Sequence, residues 1–314
     1  MKRALITGGT SMLGAALARE LLAQGDEVLA LYRAGSPKRR NLPEGARALE
    51  CDLDGYARVT PQTIALDGKP VGAWDVCYHF AWGGTTGAAR DNAPLQERNI
   101  RHTLEAMDMA ARLGCQRFVG AGSQAEFGRV PTGVRLSAEL PAFPFTGYGM
   151  AKLAAGRLGG LHARSLGMAF CWVRVISVYG PMDNEGSLTV STLRRLLAGE
   201  NAPFTKGEQL WDFLYSEDAA RAFRLIGEKG RDGATYVLGS GREVRMADAL
   251  RTLCHAVRPG LEPQLGALPY RPDQCMYLCA DLSALTADTG FVPQVSYEEG
   301  VRRTLLWCKE NEAL

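Results

Sequence analysis

The sequence predicts an α/β fold: a doubly wound, mostly parallel sheet with helices on both faces and a smaller C-terminal substrate-binding region. Three observations predict it. A short apolar strand, Arg3 to Ile6, runs directly into a glycine turn and an amphipathic run. A second strand, Glu27 to Leu31, arrives at the spacing of a strand–helix–strand unit. Further short apolar runs follow at Ala48–Leu53, Val76–Ala81 and Phe118–Val119, with a long helical stretch among them.

Composition sets outer bounds. At 314 residues the chain can bury a large core, as one large domain or two smaller ones. Its 36 Lys and Arg against 34 Asp and Glu leave +2, which argues against nucleic-acid or membrane-surface binding through bulk charge. No apolar run is long enough to span a bilayer, and MKRALITGG lacks the core of a signal peptide, so the expected location is the cytoplasm. The eight cysteines are scattered, and Cys275 and Cys279 have no further ligand nearby, so they read as reduced thiols with no metal site.

The first element carries the strongest local signal. Thr7-Gly8-Gly9-Thr10-Ser11-Met12-Leu13-Gly14 separates the strand from a helix on which Leu13, Leu17 and Leu21 share a face. Such a junction points backbone N–H groups and the positive helix end at a phosphate, and its glycines let a pyrophosphate approach. Gly8, Ser11, Met12, Leu13 and Gly14 are therefore expected to hold a dinucleotide.

The end of the second strand speaks to which one. An acid there holds free ribose hydroxyls, whereas an arginine accommodates a 2′-phosphate. The chain reads Leu31-Tyr32-Arg33, with Lys38, Arg39 and Arg40 in the next loop. This favours NADP(H), through Arg33, over NAD(H). The third strand ends near Asp52, which either meets the adenine amino group or caps the strand end. Val76 to Ala81 reads as a buried fourth strand with His79 as a core residue, opening into a flexible loop, Trp82 to Gly87. A helix from about Leu95 to Leu113 carries Asn99 and stops at Gly114, and the fifth strand ends in Gly120-Ala121-Gly122-Ser123.

Tyr148 and Lys152, in YGMAK, lie four apart on an expected helix and share one face. Ionising a tyrosine near neutrality takes about 3 pKa units, and a neighbouring ammonium is the nearest source. Alone, the spacing more often marks a solvated surface pair.

Taken with its context, the sequence resembles the extended short-chain dehydrogenase/reductase family, specifically its nucleotide-sugar epimerases, dehydratases and reductases. TGGTSMLG resembles the TGxxGxxG fingerprint, with Ser11 in place of the middle glycine. HFA, ending at Ala81, resembles the HxAA segment, and Asn99 matches a helix asparagine. In GSQAEFG, Ser123 stands five before Gly128, where the family places its catalytic Ser or Thr. RVISVYGP, WDFLYSEDAARA and RPD resemble three later landmarks, in order.

The resemblance implies a Rossmann-type fold and a division of labour. Ser123 and Tyr148 would meet one substrate oxygen, with Tyr148 moving the proton and Lys152 lowering its pKa and holding the nicotinamide ribose. Leu53, Ala81, Asn99 and Ile176 join the cofactor residues. Gln124, Ser177, Trp211 and Arg271 would face the substrate, Arg271 gripping phosphates. Gln124 and Ala125 occupy the places of the Asp-Glu pair that dehydratases use, which disfavours water elimination. What remains is hydride transfer at sugar position 4, as 4-keto reduction with NADPH or as 4-epimerisation. Ser177 and Trp211 depart from the family's Asn and Arg, so a non-nucleotide ketone or aldehyde stays open, as does a non-catalytic NADP-sensing protein.

Residues 1–179 form the expected cofactor domain, with 207–241 returning to it, while 180–206 and 242–314 form the substrate region. Gly156, Gly159 and Gly160 allow the close helix approach of a homodimer.

Overall fold

The computed structural model describes residues 2–65, 71–272 and 274–311. Strands β1 (Arg3–Thr7), β2 (Glu27–Tyr32), β3 (Arg47–Glu50), β4 (Val76–His79), β5 (Arg117–Ser123) and β6 (Ala169–Val175) are joined in one sheet. Short strands β7 (Val178–Tyr179), β8 (Leu210–Trp211) and β9 (Leu214–Tyr215) leave it, and β10 (Thr235–Leu238) re-enters beside β6. The order is β3-β2-β1-β4-β5-β6-β10, all parallel. It reverses between β1 and β4, so the strands' carboxyl ends open a crevice there.

Each face of the sheet is covered because its strands are apolar on both sides. Helices α1 (Met12–Ala23) and α5 (Ser216–Lys229) cover one face, where Leu17, Leu21 and Phe223 meet Ile6 and Val119. Helices α2 (Ala93–Arg112) and α3 (Gly147–Ser165) cover the other, packing Met107, Ala110 and Ala155 on Leu5, Phe118 and Phe170. In the smaller lobe, α4 (Leu188–Leu197), α6 (Met246–Val257) and α8 (Tyr297–Glu310) enclose Tyr179, Phe213 and Tyr297. Strands β11 (Val244–Arg245) and β12 (Tyr277–Leu278) flank β8 in a three-stranded sheet there.

Several expectations are adjusted. Strand β3 stops at Glu50, and β4 at His79, because Ala81 turns away beneath Gly8. Leu210–Trp211 joins the small sheet, and β9 pairs with β7 in a separate two-stranded sheet, so of the strands in 207–241 only β10 returns to the large one. Conversely α7 (Ser283–Thr289), assigned above to the substrate region, packs against α5 and β10, with Leu285 and Phe291 in the large core. The glycines of α3 serve this chain's own packing. A Cβ on Gly156 would come within 2.8 Å of Trp172 and one on Gly159 within 3.1 Å of Phe170.

His79 is the core residue its strand implied. Its Nδ1 pairs with Thr7 Oγ1 at 2.7 Å and its Nε2 lies 3.4 Å from Thr103 Oγ1. Burial holds its imidazolium pKa down to about 3, so it is neutral at ordinary pH.

Candidate active site

The glycine turn is shaped by contacts that only missing side chains permit. Gly8 has φ +68°, and a Cβ there would stand 2.7 Å from the Ala81 nitrogen. A Cβ on Gly14 would run into the Gly8 carbonyl oxygen. Gly14 therefore closes the turn and does not line the cavity. Ser11 stitches the same turn by donating to the Gly8 carbonyl at 2.8 Å and accepting the Gly14 N–H at 3.1 Å as the N-cap of α1. Met12 and Leu13, in the first turn, line the open end, where their N–H groups have no intrahelical partner. This cradle fits a pyrophosphate.

From it a groove of about 710 Å³ runs along the ends of β1, β2 and β3, lined by Gly8, Ser11, Arg33, Asp52, Leu53 and Ala81. Arg33 is exposed on its lip, and its side chain makes no hydrogen bond or ion pair among the described residues. Asp52 accepts the Ala34 N–H at 3.2 Å, tying the third strand's end to the second's while still lining the groove. Lys38 faces the groove too, whereas Arg39 is spent on the Tyr32 hydroxyl at 3.1 Å. A His102–Asp54 pair, at 2.7 Å, also borders the groove; its partners are 48 residues apart, which hid it in the sequence.

Asn99 departs from its expected role. Its amide accepts the Gly83 N–H and donates to the Gly83 carbonyl, both at 2.9 Å, and it is buried away from the groove lining. With Gln96, which donates to the carbonyls of Gly84 and Ala89 at 2.9 Å, it pins the loop expected to be flexible.

The three residues expected to be catalytic are brought together. Ser123, from the end of β5, and Tyr148 and Lys152, from the first turns of α3, line one cavity of about 370 Å³ with Gln124 and Ile176. Ser123 donates to Gln124 Oε1 at 2.7 Å, and its backbone N–H is held by Glu126 at 2.8 Å. Lys152 is buried and donates to the Ala121 carbonyl at 2.7 Å. Burial pushes its ammonium down to about 7, against the pull of Glu126.

The Tyr148 phenol is the correction. Burial holds its pKa above the ordinary tyrosine value, partly offset by the neighbouring Ser123 hydroxyl and the Arg90 charge, while Glu126 adds to the rise. Lys152 was expected to supply the opposing charge, but its ammonium is turned to Ala121 and lies 3.6 Å from the centre of the Trp82 indole. Arg90 stands over the Tyr148 ring at 4.3 Å, and Trp82 meets that ring edge-on at 6.1 Å. Neither is marked as a site residue by spacing, since both arrive on the loop after β4 and meet α3 only in the fold.

On the far side a pocket of about 560 Å³ is lined by Ser177, Trp211 and Arg271. The Trp211 indole donates to Ser177 Oγ at 2.7 Å, so the two departures from the family pattern are partners. Arg271 is exposed at the rim, and Asp273 lies outside the described residues. Ile176 and Asp183 border both this pocket and the cavity of Ser123, Tyr148 and Lys152.

A family model described as the NAD dependent epimerase/dehydratase family matches residues 4–239. The chain belongs to this family. The NAD-dependent epimerase/dehydratase family is one of enzymes, nucleotide-sugar epimerases and dehydratases of the extended short-chain dehydrogenase/reductase type. One relative, the dTDP-glucose 4,6-dehydratase of Escherichia coli, is 28% identical over 64% of this chain and 61% of its own. The UDP-glucose 4-epimerase of Thermotoga maritima, solved with UDP-glucose, superposes with a TM-score of 0.86 at 22% identity, covering 99% of both chains. The UDP-glucose 4-epimerase of Thermus thermophilus, in complex with NAD, gives 0.83 at 23% identity, covering 98% of this chain and 99% of its own. The family's Rossmann-type architecture is thus the one adopted here. Among the described residues, no helix is long and apolar enough to cross a membrane.

Proposed function

We propose that this chain transfers hydride at position 4 of a nucleotide-activated sugar, by 4-epimerisation or 4-keto reduction. The carrying observation is continuity: the cavity holding Ser123, Tyr148 and Lys152 shares Ser11 with the dinucleotide groove and Ile176 with the pocket of Arg271. One oxygen placed between the groove and that pocket therefore meets both hydroxyls.

A bound nicotinamide supplies the hydride acceptor or donor. Ser123, turning from Gln124 Oε1, would orient the reacting oxygen by donating a hydrogen bond, and Tyr148 would take its proton during oxidation or return it during reduction. Lys152, in the same cavity, would hold the hydroxyls of a nicotinamide ribose. The N–H groups of Met12 and Leu13, with Ser11 and Gly8, would hold the pyrophosphate, and Arg271 would grip the substrate's phosphates. Water elimination is disfavoured on physical grounds. Glu126, the nearest acid after Ser123, is wholly buried and spends its oxygens on Arg174 at 2.9 Å, Trp172 at 3.0 Å and the Ser123 N–H.

The family description and the NAD-bound neighbour support NAD(H) as cofactor. A second reading, NADP(H), rests on the unpartnered Arg33 at the groove's lip. Release and identification of the dinucleotide carried by purified protein decides between them. For the reaction, UDP- and dTDP-sugars and their 4-keto forms are assayed with wild type and Tyr148→Phe. Turnover lost in the variant with dinucleotide binding kept supports the mechanism; unchanged turnover ends it.

A further inference from the structure

The loop after β4 reaches into the cavity of Ser123, Tyr148 and Lys152. Trp82 begins it, Arg90 ends it, and both touch Tyr148: the indole edge-on at 6.1 Å and the guanidinium over the ring at 4.3 Å. The same indole covers the Lys152 ammonium at 3.6 Å. The loop is not free to drift. Asn99 grips Gly83 through two hydrogen bonds, Gln96 grips Gly84 and Ala89, and Trp82 Nε1 donates to Gln96 Oε1 at 3.0 Å. Arg90 is itself oriented by donating to the Thr85 carbonyl at 3.1 Å.

We propose that Arg90 is a positioning residue for Tyr148, stacking on its ring and presenting the positive charge that Lys152, turned to Ala121 and covered by Trp82, withholds from it in the cofactor-free protein. The inference rests on the reading of Tyr148 as the proton carrier. It deepens that reading by naming the cation that opposes burial at the phenol before a dinucleotide arrives.

The surroundings of the phenol are few and of mixed sign. From the end of β5 and the turn after it come the Ser123 hydroxyl and the Glu126 carboxylate. From α3 comes Lys152, its ammonium 5.8 Å from the ring centre and donating elsewhere. Lys38 and Asp183 lie across the shared cavity. Arg90 is the cation stacked directly on the ring, where a guanidinium is attracted to the aromatic face and stabilises the anion it becomes. A lysine at 90 would keep the charge but not the guanidinium over the ring.

The test reads ionisation directly, without substrate. 2,3-Difluorotyrosine is incorporated at position 148, which lowers the phenol's titration into an accessible range and gives a single-site fluorine NMR signal. It is titrated in cofactor-free protein carrying Arg90, Arg90→Gln, Arg90→Lys or Lys152→Met. The proposal expects Arg90→Gln to raise the apparent pKa by about one unit, Arg90→Lys to recover most of that rise, and Lys152→Met to move it less. An unmoved pKa in Arg90→Gln, or a larger move in Lys152→Met, overturns it. Dinucleotide binding is measured in parallel. Its absence in the protein carrying both Arg90 and Lys152 would count against the proposed cofactor role and would leave the ionisation result standing.

Discussion

The buried carboxylate of Glu126 accepts the backbone N–H of Ser123 at 2.8 Å. Its other oxygen accepts Arg174 Nε at 2.9 Å, with both side chains almost wholly out of water. Removing one member of such a pair strands the other's charge. Glu126→Gln is expected to cost roughly 3–5 kcal/mol in denaturant unfolding. Turnover should also fall as the Ser123 backbone loosens. A variant as stable as wild type would show that Arg174 finds another partner.

Asn99 offers a similar test at a distance from the chemistry. Asn99→Ala removes two hydrogen bonds to Gly83 and leaves buried groups unpaired, with an expected cost of about 1–3 kcal/mol. Amide exchange should accelerate across residues 82–90, which carry Trp82 and Arg90. Unchanged exchange would mean that Gln96 alone holds the loop.

His79 sets a pH dependence. Its folded pKa is depressed to about 3 from the ordinary 6.5, so between these values the unfolded chain binds a proton that the folded chain refuses. Stability therefore falls as pH drops through that window. The contribution reaches at most a few kcal/mol near pH 3. Denaturant unfolding of His79→Gln against wild type at pH 7 and pH 4 should show a shallower decline in the variant, and parallel declines would refute the assignment.

Arg33 tests the second cofactor reading. If its guanidinium meets a 2′-phosphate, Arg33→Ala weakens NADPH by about tenfold or more and leaves NADH nearly untouched. Equal losses for both dinucleotides, by titration calorimetry, would remove that site.

Helix α3 carries Met150, Leu158 and Leu161 at 53%, 44% and 57% exposure, an apolar face suited to a second copy of the chain. A homodimer through this face predicts that Leu161→Glu sediments as a monomer at concentrations where wild type does not. Identical sedimentation would remove α3 from any interface.

Much of the site was legible because it rests on local chemistry. The glycine turn, Ser123 at a strand end and the Tyr148–Lys152 spacing are short-range patterns, and the fold kept all three together. What spacing could not reveal was competition for each group's polar atoms. Asn99 looked like a cofactor contact until Gly83 took its amide, and Lys152 looked like Tyr148's counter-charge until Ala121 and Trp82 took its ammonium. Arg90 was invisible for the complementary reason: its stacking on Tyr148 spans 58 positions of sequence and exists only when the β4 loop lies against α3. The linear domain boundary failed at α7 because a short helix joins whichever core its apolar residues reach, here Leu285 against the large sheet.

The late return of β10 bears on how the chain is made. Until Thr235–Leu238 leaves the ribosome, β6 is an unpaired border whose Phe170, Cys171, Trp172 and Val173 can template another strand. Synthesis must carry that sticky border through the whole of α4 and α5 before the proper partner appears. A product terminated in this interval is expected to aggregate, and a nascent chain stalled there to engage holding chaperones.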